Sequence, residues 1–472
     1  MTWGSSATST PSLPTTNATL VCNGIDVPGE IGFVTHAFRW EDGKITDLGA
    51  LPGDTNCSTP MAINAGGEIV GISENGQVDS LTGVNETRAV VWKNGEIEDL
   101  GSLGGNQNGA LRLNNKGQIV GWSLNTVADP FSPIDAVLGS SNGTQTRAVL
   151  WQHGQMQDLG TLGTGNDAIA GLINERGQIA GISSTTATAN PATGIPTTDP
   201  FFWENGTMVD LGSLGGAIGF TTAMNNRGQV IGVSSVAANP GACLFNGEGD
   251  PDCHPFLWDR GKLIDLNTST VGGNPLIAYG INDAGEVVGI GAFPNAPSDA
   301  YLWREGVATD LGHLSDCGSF ANAINSHGQV VGGTFSCQTS NHARAFLWEE
   351  GSMIDLNSVI PANSSLELVI AFGINDRGEI AGEGVPPGVP AANYSSQGHA
   401  FVLIPCDEHH PDVEGCDYDE VEAMTDGPVQ SAQIAQTPAT ASTAKLSAVE
   451  MMKRYRISMA NHSRRFAAFP LK

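Results

Sequence analysis

Between residues 88 and 121 the chain alternates apolar and polar in short strokes. Arg88-Ala-Val-Val-Trp92 leads into the turn Lys93-Asn-Gly95 and then Ile97-Glu-Asp-Leu-Gly101. A second pair follows, Leu113-Asn-Asn-Lys-Gly117 running into Ile119-Val-Gly121. Short apolar runs bounded by Asn, Asp and Gly predict strands joined by hairpins rather than helices. Seven copies of this double signal span residues 36–382, and a degenerate hairpin precedes them at Gly24-Ile-Asp-Val-Pro-Gly-Glu-Ile31.

The tryptophan recurs as Trp40, Trp92, Trp151, Trp203, Trp258, Trp303 and Trp348, at spacings of 45 to 59 residues. That period suits a four-stranded blade with inserts of variable length. Residues preceding the Ile-Asn pair are mostly small (Ala62, Ala223, Gly280, Ala323, Gly373, with Arg112 and Leu172 departing), which suits a crowded strand at a propeller axis. The Gly-Gln-Val-Val-Gly strand lies next outward, then the Trp strand, then the Asp-Leu-Gly strand at the rim. The expected fold is all-β: a β-propeller of four-stranded blades, eight preferred over seven. Radial repetition of this kind protects sheet edges.

Each repeat Trp is followed by two variable residues and a glycine, including Arg304-Glu-Gly306 and Glu349-Glu-Gly351. A type I′ turn needs positive φ at both central residues, which Glu resists, so a type I turn closed by a left-handed Gly is expected. In the Asn-x-x-Gly turns the Asn side chain is expected to brace the turn backbone.

Composition narrows the class. Among 472 residues there are 61 glycines and only 15% charged residues, and the regular glycine placement marks turns rather than disorder. The net charge is −28, yet seven of the 21 basic residues lie in the last 32 positions. So acidic a body disfavours nucleic acid as a partner. No apolar run reaches the length of a membrane span. Residues 1–18 read as a disordered lead without the basic start and apolar core of a signal peptide, and residues 19–405 as the repeat domain. An acidic, then Ala/Thr/Gln-rich linker covers 406–441, and 442–472 reads as a basic amphipathic helix that docks on a partner or a membrane surface.

Eight cysteines suggest disulfides. A three-residue loop pairing Asn325 with Gln329 sets Cys317 opposite Cys337. Cys243 with Cys253 and Cys406 with Cys416 would each close a short loop, leaving Cys22 and Cys57. Buried thiols or a metal site are the alternatives, zinc being disfavoured because no C-x-x-C is present. Disulfides would place the chain outside the reducing cytosol, extracellular or periplasmic.

His36-Ala-Phe38, His399-Ala-Phe401, Ala345-Phe-Leu-Trp348, the Asp-Leu-Gly strands and the Ile-Asn-x-x-Gly turns together resemble the HAF family of probable extracellular repeats. The resemblance covers about residues 24–404 and implies an exported bacterial repeat protein, with no activity, cofactor or ligand attached.

Residues repeated in every blade sit at separate points and cannot converge on one site. The Asp of the Asp-Leu motif (Asp47, Asp99, Asp158, Asp210, Asp265, Asp310, Asp355) is therefore expected to accept backbone N–H bonds at the rim turn, and the tryptophans to pack between sheets. Function is expected in the irregular inserts, all on one face. Their densest polar cluster holds Asp250, Asp252 and His254, where calcium or another metal is the functional alternative to a solvated, disulfide-closed loop. No P-loop, dinucleotide fingerprint, H-E-x-x-H or G-x-S-x-G is present, so no catalytic or cofactor-binding residue is assigned. The expected role is a non-catalytic, exported binding scaffold for an extracellular ligand. The alternatives are a propeller enzyme acting on polysaccharide, with carboxylates converging near the axis, and a purely structural surface protein.

Overall fold

The computed structural model describes residues 34–405, except 42–43, 53–55, 80–82, 130–142, 246–250, 269–272, 294–295, 315–317, 335–342, 361–363 and 392–393. The lead, the degenerate hairpin at 24–31, the linker and the C-terminal helix all lie outside the described residues. So do Cys22, Cys317, Cys337, Cys406, Cys416 and Asp250.

The chain forms a β-propeller of antiparallel sheets taken in sequence order. Six four-stranded units follow one another, four as separate sheets and two joined into an eight-stranded sheet by the single parallel pairing of Thr198 with Ile218, and every unit runs in the expected order from axis to rim. In the Trp92 sheet these strands are Ser58–Ile63, Ile69–Val78, Asn85–Lys93 and Glu96–Asp99. Among the described residues a two-stranded sheet, Ala37–Glu41 with Lys44–Gly49, precedes the six. A three-stranded sheet of Glu367–Ile374, Ile380–Val385 and His399–Leu403 follows them.

The small residues near the axis have a geometric cause. Each inner strand shifts register just before its Ile-Asn pair, as at Ala170/Leu172, and a glycine of the second strand faces that shift. A Cβ built on Gly181 would sit 1.9 Å from the Ile169 carbonyl oxygen, so only glycine fits the close backbone approach. Core clusters form between consecutive sheets. Trp203 packs on Val120, Ala148 and Leu150 of the sheet before it. The Trp258 ring lies 5.2 Å from that of Phe202. Trp92, Trp151, Trp203, Trp258 and Trp303 are buried, whereas Trp40 and Trp348 are half-buried.

The Asn turns do more than brace themselves. Asn174 Oδ1 accepts the N–H groups of Arg176 and Gln178, both at 3.0 Å. Its Nδ2 donates to the carbonyl of Asn225 in the next sheet at 3.1 Å. Asn64, Asn114, Asn225, Asn282 and Asn325 each reach the carbonyl of the following turn Asn in the same way. A hydrogen-bonded relay thus runs from sheet to sheet across the face opposite the inserts.

The Trp-x-x-Gly turns depart from expectation. In the Trp348 sheet Glu349 pairs with Ser352, leaving a two-residue loop in which Glu350 has φ 50° and Gly351 φ 84°. Asn94, His153, Asn205, Arg260 and Glu305 also take positive φ, so these are I′-like turns with both central residues left-handed. The twist of the flanking strands, which a two-residue I′ loop matches, outweighs the cost of about 1 kcal/mol at a non-glycine residue.

Candidate functional site

The rim strands carry a second repeat that only the structure makes plain. The residue four places before each Trp stands next to the Asp of the Asp-Leu motif, on the insert-bearing face. Arg147 Nε lies 3.0 Å from Asp158 Oδ2, Arg344 Nη1 2.6 Å from Asp355, and His254 Nδ1 2.9 Å from Asp265. His36 Nδ1 is 3.1 Å from Asp47, and Arg88 Nε 3.9 Å from Asp99. The hydrogen bond to Asp47 raises the pKa of His36 and correspondingly lowers that of Asp47. Each Asp also caps the turn after it. Oδ1 accepts an N–H from Gly49, Gly101, Gly160, Gly212 and Gly312 at 2.7–2.9 Å, and from Asn267 and Asn357 in the two sheets whose turn is a 3-10 helix.

Two sheets break the pattern by placing an acid where the cation should be. In the Trp303 sheet Asp299, 1% exposed, faces Asp310. His313, from the turn after the rim strand, brings Nδ1 to 2.9 Å from both Asp299 carboxylate oxygens. Burial raises the pKa of Asp310, with the Asp299 charge adding to it and the Gly312 N–H and His313 opposing. Ser319 lies alongside: its Oγ accepts from the Ala300 N–H and donates to the Gly312 carbonyl at 2.6 Å. In the Trp203 sheet Asp199 faces Asp210, and burial followed by the Asp210 charge pushes the Asp199 carboxyl up to about 6. Asp199, Asp299 and His313 escaped the sequence reading. The signal was available as a column, His36, Arg88, Arg147, Asp199, His254, Asp299, Arg344, in which two acids replace bases.

The sequence candidates fare differently. His254 is not a metal ligand, because Nδ1 binds Asp265 and Nε2 binds the Pro251 carbonyl at 2.9 Å, leaving neither nitrogen for a cation. Among the described residues no three His, Cys, Asp or Glu side chains gather as a metal site would require. Cys243 and Cys253 are bridged, with Cα atoms 5.1 Å apart, and Cys57 is also disulfide-bonded. Glu367 is the one acidic residue in the described inner strands. No described helix is long and apolar enough to cross a membrane.

No protein-family model and no curated protein matches the chain. Solved structures do match. The β-propeller domain of the Trilobed protease from Pyrococcus furiosus is similar at 10% identity and TM-score 0.39, over 73% of this chain and 92% of that one. A prolyl endopeptidase is similar at 10% identity and TM-score 0.45, over 75% of this chain and 51% of that one. A puromycin-hydrolyzing peptidase of Mycobacterium tuberculosis is similar at 12% identity and TM-score 0.39, over 75% and 55%. The chain thus spans about half the length of these two peptidases. The fold is a β-propeller. The matching propellers belong to proteins named as peptidases, whereas the sequence suggested a non-catalytic scaffold. At such identities the likeness speaks for fold alone.

Proposed function

We propose that this chain acts in hydrolysis, with His313 as general base on the insert-bearing face. The observation that carries this reading is the contact of His313 Nδ1 with both oxygens of buried Asp299, at 2.9 Å. A carboxylate on one ring nitrogen orients the imidazole and stabilises the imidazolium formed when the other takes a proton. His313 would accept that proton from water as the water oxygen adds to an acyl carbon. Asp310, whose pKa burial raises, would hold a proton closer to neutrality than an ordinary Asp and hand it to the leaving group.

The test is a panel of aminoacyl p-nitroanilides, p-nitrophenyl esters and lactones offered to the full chain. Turnover that is abolished in His313→Ala and in Asp299→Asn supports the reading. Turnover unaffected by both rejects it.

We also propose export, with the chain as an extracellular repeat protein of the HAF type. The bridge between Cys243 and Cys253 favours an oxidising compartment. Thiol alkylation of protein from its native source, with and without reductant, checks this: labelling of these cysteines before reduction would speak against export.

A further inference from the structure

We propose that Asp199 and Asp210 form a socket for a guanidinium group supplied from outside the chain. The reading is independent of the hydrolytic one, which rests on a different sheet. In the neighbouring Trp151 sheet the corresponding space is filled from within. Arg147 reaches both Asp158 oxygens at 3.0–3.3 Å and donates to the Asn166 carbonyl at 2.9 Å. Asp199 occupies the same position four places before Trp203, and its side chain ends well short of where an arginine head would lie.

Among the described residues nothing replaces the missing cation. The Trp303 sheet has the same acid facing acid, and there His313 Nδ1 supplies the partner at 2.9 Å. Its counterpart in the Trp203 sheet is Ser213, which donates to the Gly216 carbonyl at 3.0 Å and not to Asp199. Asp199 is 9% exposed, and its Oδ1 is buried without a hydrogen-bond partner among the described residues. A buried acceptor left unpaired is costly, so a donor at this point is strongly favoured. Asp210 is exposed beside it and opens the pair to solvent.

The chemistry selects guanidinium. Its planar fork of donors matches two adjacent carboxylates, which a strongly hydrated ammonium matches less well. A metal ion would need a third ligand, and the described residues gather no such set. A net charge of −28 draws cationic partners toward the surface. The partner is therefore an arginine side chain of another protein or peptide.

The experiment titrates the full chain at pH 7.5 with N-acetyl-arginine amide, N-acetyl-lysine amide or sodium chloride at matched ionic strength, following the melting temperature. Arginine amide should raise it saturably, lysine amide less, and salt not at all. Asp199→Arg refills the socket as Arg147 does next door; it should melt higher without ligand and lose the response. Asp210→Asn, at an exposed site, should lose the response with its fold intact. The proposal is overturned if the wild type responds no more to arginine amide than to salt. Equal responses to lysine and arginine, or a response kept by Asp210→Asn, also overturn it.

Discussion

Replacing Asp199 by Asn should stabilise the protein at neutral pH and not in acid. Folding raises the Asp199 pKa from 3.8 to about 6, a shift caused first by burial and then by the Asp210 charge. The folded state therefore binds more protons than the unfolded state between those values, and stability falls as pH rises through that window. A shift of about two units corresponds to about 3 kcal/mol lost from pH 4 to pH 7. Asn keeps the size and polarity of the side chain without the charge. In Asp199→Asn the stability at pH 7 should rise by about 2–3 kcal/mol, while at pH 4 the variant and wild type should nearly coincide. Chemical denaturation of both proteins at pH 4, 5, 6 and 7 measures the difference directly. If the variant gains nothing at pH 7, or gains as much at pH 4, then Asp199 does not hold its proton in the manner described.

Three further substitutions probe the scaffold. Asn174→Ala removes four side-chain hydrogen bonds, one of them to the next sheet, and should cost about 2–4 kcal/mol by denaturant midpoint. Glu350→Asn puts a residue tolerant of left-handed backbone at φ 50° and should add about 0.5–1 kcal/mol, read as a higher melting temperature. Tyr301→Phe deletes a buried hydroxyl that has no partner among the described residues and restores the Phe found at 201, 256 and 346. It should be neutral or stabilising by about 1 kcal/mol in the same assay.

The scaffold was legible because its causes are local and repeated. Glycine at Gly181 and Gly351, Asn at Asn174 and the period-two apolar strokes each dictate backbone geometry within a few residues, and recurrence multiplies the signal. The turn type was misjudged because it depends on strand twist, a property of the assembled hairpin that Glu349-Glu-Gly351 does not carry alone. The relay from Asn174 to Asn225 joins residues 51 apart and needs the sheets placed side by side. The candidate site was hidden for a related reason. The sequence reading treated Asp210 and Asp310 as copies of one structural Asp, and so they are. What distinguishes them is the residue eleven positions earlier, which a strand pairing brings alongside. Asp299 and His313 become a pair only once the rim strand folds back on the Trp strand.

The central claim is that His313, oriented by Asp299, takes a proton during hydrolysis. Its most direct test is the ratio of kcat/KM between wild type and His313→Gln on the best acyl substrate of the panel, with equal melting temperatures confirming the fold. A fall of about a hundredfold or more in the variant, recovered in part by added imidazole, is the expected result. An unchanged kcat/KM in His313→Gln would contradict it.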